Sequence, residues 1–211
     1  MIFLQPIYQY LLSHYAMRIN HFALIKLILF AVDKTLFYFL IFIFVRLLYF
    51  LLNKRKRNLK KEALLWLFTF YLLLLLMLTT FRDTYFPWQL VFSWKRPLSD
   101  INLIFMKETF KLVDAPSKLD FFYNSFGNIV WFVPFGFLFP FFCDKTRHFW
   151  STLFLGFLLS LAIETLQFFL RTGVSDIDDV FFNTLGTGLG YMLYSTLVKE
   201  ITSLRRKKLL K

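Results

Sequence analysis

The chain has 211 residues, of which 58% are hydrophobic and 22% aromatic, with a mean hydropathy of +0.57. That balance excludes an ordinary water-soluble domain, which would need more polar surface, and points to one membrane-embedded bundle. The formal net charge of +12 would suit nucleic acid, but the basic residues are gathered beside apolar runs, which reads as membrane topology and excludes a nucleic-acid partner.

Taken in chain order, MIFLQPIYQYLL lacks the early positive charges and cleavage site of a signal peptide, so it is expected to stay in the mature protein. Residues 2–29 mix apolar and polar groups and suit an interfacial helix. A helix needs about 20 apolar residues to cross the hydrocarbon, and five segments come near that length. The first is best placed from Thr35 to Leu52, because Asp33 and Lys34 are costly deeper in lipid. No breaker separates His21 from Leu52, so one long tilted helix is the alternative. Arg46 is tolerable within it if its stem snorkels toward the helix end.

The second span, Ala63 to Phe81, carries no charge. The third, Phe126 to Phe142, contains Pro134, Gly136 and Pro140 and should be kinked or partly unwound. The fourth is Trp150 to Leu170 and the fifth Val180 to Val198, giving an all-α polytopic bundle of about five spans. The link NKRKRNLKK carries six basic residues, CDKTRH two and the tail from Lys199 six, which puts all three on the cytoplasmic side. Residues 82–125 and the acidic turn RTGVSDIDD then face outside, as does the N-terminus.

Polar groups within a bilayer cost roughly 2.5–3.5 kcal/mol each, so a cluster of them needs a reason. Glu164, Gln167 and Arg171 step by three and four, which predicts one face of the fourth helix. Asp179, Asn183, Gly186 and Gly190 step likewise on the fifth, where the glycines allow close helix approach. Asn128 lies about one turn into the third span. These positions predict a connected polar site opening outward, with Arg171 paired to a carboxylate from Glu164, Asp176 or Asp179.

The plainer reading is a structural network of buried hydrogen bonds, with one of Asp176, Asp178 and Asp179 capping the fifth helix. Those aspartates lack EF-hand spacing and a histidine partner, so neither metal nor cofactor is expected. His14, His21 and His148 are scattered and read as interfacial side chains. The serines lack a nucleophile-elbow setting. Cys143, the one cysteine, excludes an internal disulfide and reads as a packed or lipidated residue. Trp88 and Trp94 suit headgroup-level anchors.

FGNIVWFVPFGFLFP followed by IETLQFFLRTGVSDIDDVFFNTLGTGLGY resembles the VanZ-like family over roughly Leu72 to Tyr194. The resemblance carries onto Asn128, Pro134, Gly136, Glu164, Gln167, Arg171, Asp176, Asp179, Asn183, Gly186 and Gly190. Where the family often reads Asn-Leu-Ile-Pro-Phe, this chain has Asn102 to Met106 without the proline that would fix a turn. The organisation expected is a 1–60 extension with the first span and a basic cytoplasmic link, a 61–198 VanZ-like membrane domain and a 199–211 basic cytoplasmic tail.

The resemblance implies a multi-pass cell-membrane protein with a phenotype, resistance to the glycopeptide teicoplanin, and no established reaction. Two mechanisms fit. One is a polar pocket binding a lipid headgroup or lipid-linked cell-wall precursor. The other is an enzyme using Glu, Asp and Arg for acid/base or phosphoryl chemistry on such a lipid. A small transporter or assembly scaffold stands behind both. The absence of an internal repeat argues against common transporter designs.

Overall fold

The computed structural model describes residues 1–19, 22–53, 58–106, 118–142 and 148–209, with side chains described in these ranges except at 118–125 and 201–209. Cys143, His21 and the basic run 54–57 lie outside them. The described residues are all-helical, with α1 Gln5–Tyr15, α2 Phe22–Asn53, α3 Leu59–Thr79, α4 Lys118–Leu138, α5 Phe149–Leu170 and α6 Ile177–Leu209. Three of these, α2, α3 and α5, are long and apolar enough to cross a membrane, and a shorter apolar stretch runs from Phe126 to Phe141. About five spans is therefore an approximation. α6 has the length but dilutes its apolar character with Asn183, four threonines and three glycines.

The chain divides into two compact units, residues 1–93 with 170–173, and residues 94–169 with 174–211. In the first, α2 is a single 32-residue helix and does not begin at Thr35. Asp33 and Lys34 do not interrupt it because neither meets lipid: both are fully buried. The Asp33 carboxylate accepts from the backbone N–H groups of Ile2, Phe3 and Leu4, each at 2.7 Å, and from the Tyr85 hydroxyl at 2.8 Å. It thus fixes the three residues that lead into α1, beside the end of that helix where the dipole is positive. Burial, and then this bond to Asp33, push the Tyr85 phenol above its ordinary pKa.

Lys34 does the converse at the other pole. Its ammonium donates to the carbonyls of Phe81, of Arg82 at 3.0 Å and of Thr84 at 3.2 Å, just past the end of α3, where carbonyls lack partners. The sequence penalised these two charges as if lipid-exposed, whereas adjacent positions on one helix serve helix ends of opposite polarity. Arg46 likewise does not simply snorkel. It makes a two-point ion pair with Glu62 of α3, at 2.7 and 3.1 Å.

In the second unit α4 and α6 touch backbone to backbone. A Cβ at Gly186 would collide with the Ile129 carbonyl, one at Gly190 with the Val133 carbonyl, and one at Gly136 with the Thr187 carbonyl. Gly186 and Gly190 are one turn apart on α6, as Ile129 and Val133 are on α4, so the two helices lie along each other for at least two turns. Thr187 is fully buried, and Gly156 of α5 leaves room for its side chain. α4 runs through Pro134 and tightens into a 3-10 turn at Phe139–Phe141, around Pro140.

This geometry separates the glycines. Gly186→Ala and Gly190→Ala should each destabilise the protein by about 1–3 kcal/mol through overpacking and reduce its abundance in membranes. At Gly188 the nearest atom to an added Cβ is 3.5 Å away, so Gly188→Ala should leave both unchanged. Thermal melts in detergent and immunoblots of membrane fractions would check this.

Candidate polar site at the ends of α5 and α6

The second unit gathers polar side chains where α5 ends and α6 begins. Asp176 precedes α6, and its Oδ1 accepts from the Asp178 backbone N–H at 2.9 Å, a cap on the first turn. Its own N–H donates to Oε2 of Glu164 at 3.1 Å, while the Ser175 hydroxyl donates to the Glu164 backbone carbonyl at 2.6 Å. Glu164, one and a half turns before the end of α5, therefore ties that helix to the turn opening α6. Glu164, Gln167, Ser175 and Asp178 are all buried.

A loop absent from the expected site completes this cluster. Asn102 donates from Nδ2 to the second Asp176 oxygen at 3.0 Å. Its backbone N–H donates to Ser175 at 2.9 Å, and its carbonyl accepts from Ile177 at 3.1 Å, forming one isolated parallel bridge with Asp176. Met106, held at φ 61°, donates its N–H to Asp178 at 2.6 Å. The stretch from Asn102 to Met106 is thus fixed by hydrogen bonds, so the missing proline does not leave this turn unconstrained. Arg96 closes the other end: its guanidinium donates to the Phe168 carbonyl at 3.0 Å and to Asp100 at 3.1 Å, and lies 4.9 Å from the Phe168 ring centre. A cation on the last turn of α5 is favoured by the helix dipole. The Trp94 ring packs 5.0 Å from that of Phe169.

Of the seven residues expected to form the site, six belong to this unit. Glu164 and Asp176 are joined directly. Asn128 of α4 donates its amide to the Asp179 carboxylate. Asn183 reaches deeper, donating to the Ser160 hydroxyl at 2.9 Å, with the Thr187 hydroxyl on the Asn183 carbonyl at 3.1 Å. Gln167 is buried on the same helix as Glu164.

The seventh, Arg171, is grouped with the first unit. The periodicity that put it on one face with Glu164 and Gln167 stops short of it, because α5 ends at Leu170 and Arg171 has a φ of 54°. It occupies the left-handed position that commonly terminates a helix and that glycine usually fills. Its side chain is exposed, in contrast to the buried, carboxylate-paired setting that the sequence suggested.

Reasoning from sequence missed Arg96, Asn102, Ser160 and Ser175. Only Asn102 carried a signal, as the first residue of the family's loop motif. Chemically the cluster is rich in carboxylates that accept from backbone N–H groups and side-chain amides, an arrangement that orients helix ends. Among the described residues no three His, Cys, Asp or Glu side chains converge as metal ligands.

No curated protein and no solved structure matches the chain. The sequence profile described as VanZ/LLP1 matches residues 68–199, which takes in α4, α5, most of α6 and the loop that carries Asn102. The chain is a membrane protein of the VanZ-like family.

Proposed function

We propose that the protein lowers susceptibility to glycopeptide antibiotics, teicoplanin above all, by holding a lipid headgroup or lipid-linked cell-wall precursor through the guanidinium of Arg171. The observation that carries this reading is the backbone of Arg171. A non-glycine residue in the left-handed region costs about 1–2 kcal/mol, and glycine would avoid it. The strain is consistent with a guanidinium kept for its own sake, exposed and able to grip a phosphate or carboxylate at two points. Glu164 and Asp176 have the separate task of tying α5 to the start of α6. Binding is favoured over acid/base chemistry because Glu164 and Asp176 both accept from backbone N–H groups in the static fold.

The proposed orientation has the N-terminus outside, the C-terminus in the cytoplasm and the α5–α6 turn outside, following the basic link and tail.

Two measurements test these proposals. Arg171→Gly should relieve the backbone strain, leave membrane abundance unchanged or raised, and lower the teicoplanin inhibitory concentration to that of a deletion strain. Glu164→Gln should lower it too. Unchanged susceptibility in a host shown to make the protein would refute the resistance role, and loss of abundance with both substitutions would make the cluster purely structural. For orientation, Asn58→Cys and Val174→Cys in a Cys143→Ser background should react with an impermeant thiol reagent from opposite sides. Labelling of both from one side would overturn the arrangement.

A further inference from the structure

α2 and α3 run antiparallel, with Arg46 meeting Glu62 near one end and Lys34 meeting the carbonyls past α3 at the other. Beside that second end the first unit holds a cleft of about 280 Å³, walled by Tyr38 of α2, by Met77 and Phe81, and by Tyr85, Phe86 and Leu90. α3 stops at Thr79, so the cleft extends from the last turn of a spanning helix into the loop that follows it. That loop is held in place. The Tyr38 hydroxyl donates to the Tyr85 carbonyl at 2.8 Å, and Oε1 of Gln89 accepts from the backbone N–H groups of Tyr85 at 2.8 Å and Phe86 at 3.0 Å. The cleft is thus preformed, at the depth where acyl chains give way to headgroups. The Trp88 ring, stacked on Phe86 at 4.6 Å and 78% exposed, suits that depth.

Two charges of opposite sign lie beside it. Arg82 is half-buried and donates from Nε to the Leu78 carbonyl at 3.0 Å, which leaves both Nη groups to donate elsewhere. Asp83 is exposed. Neither enters an ion pair among the described residues. Thr84 lines the cleft, and its hydroxyl has no partner among the described residues. Because Lys34 holds the carbonyls of Arg82 and Thr84, these three consecutive residues are fixed next to the cleft.

We infer that the cleft takes one acyl chain of a zwitterionic phospholipid, phosphatidylethanolamine, with its phosphate on Arg82 and its amine on Asp83. A methylene fills nearly a water's share of volume, roughly 30 Å³, so the cleft admits about nine of them, the upper part of a single chain. Apolar and aromatic walls with a few polar groups at one end are the make-up of a site for an amphipathic ligand. A guanidinium can donate two parallel N–H bonds to one phosphate. The two charges of this headgroup are joined by a short two-carbon link, and Arg82 and Asp83 are chain neighbours with Cα atoms about 3.8 Å apart. Charge separates the candidate lipids: phosphatidylglycerol or a polyprenyl diphosphate would answer Arg82 but bring no cation to Asp83. The inference concerns residues 38–90 alone and rests neither on the resistance role nor on Arg171.

Native mass spectrometry of the full chain carrying Arg171→Ala would test it apart from the proposed function. Phosphatidylethanolamine and phosphatidylglycerol with matched chains would be supplied in equal amounts. Phosphatidylethanolamine should be retained several-fold more than phosphatidylglycerol. Asp83→Asn, at an exposed position outside any helix, should abolish that preference, and Arg82→Gln should cut retention of both lipids several-fold. Leu90→Trp should do the same by filling the cleft. Equal retention of the two lipids without further substitution, or a preference that Asp83→Asn leaves unchanged, would overturn the inference. So would full retention of both lipids by a Leu90→Trp protein that melts like its parent. Should Leu90→Trp or Arg82→Gln fail to fold, the Asp83→Asn comparison still decides. Stronger retention of a polyprenyl diphosphate than of phosphatidylethanolamine would overturn it in favour of a lipid-linked precursor.

Discussion

Side chains take the place of water at the ends of these helices. A helix leaves four donors at its start and four acceptors at its finish, and beside a bilayer few waters are at hand to meet them. Asp33 holds the residues that lead into α1, Asn58 answers the start of α3 and Asp176 that of α6. Lys34 and Arg82 answer the finish of α3, and Arg96 that of α5. The charged groups follow the helix dipole, acids at N-termini and bases at C-termini. Buried charges that look prohibitive in a list of residues are thereby the groups that decide where each helix stops.

With the ends fixed, the glycine contacts set the spacing in the second unit. Because α4 and α6 meet at their backbones, Asn128 comes within reach of Asp179, and Thr187 fits between Gly136 and Gly156. The loop from Arg96 to Met106 then bridges the finish of α5 and the start of α6. The carboxylates of this region are consequently engaged in holding two helix ends together, and Arg171 stands apart from them in both backbone conformation and exposure. That contrast is what gives Arg171 its place in the proposed function.

Much of the helical architecture was legible. The uninterrupted apolar runs gave α3 and α5 to within a few residues, and the small-residue spacing on α6 pointed to close packing. Three features were not legible, each for a physical reason. The start of α2 was misplaced because a transfer penalty assumes lipid around Asp33 and Lys34, and no periodicity reveals that helix ends elsewhere in the chain accept them. Arg171 was assigned to a helix face because periodicity carries no information about where a helix stops when the terminating residue is not glycine. Arg96 and Asn102 lay in a segment of balanced charge, and their partners are 72 and 74 residues away, a separation that local pattern cannot span.

The central claim is that Arg171 is kept for an anionic lipid ligand. The most direct test is native mass spectrometry of the detergent-extracted full chain incubated with a polyprenyl-diphosphate-linked cell-wall precursor and, separately, with phosphatidylglycerol. The unsubstituted chain should retain at least one of these lipids, and Arg171→Ala should lose it while remaining folded by thermal melt. Equal retention by the two proteins would contradict the claim.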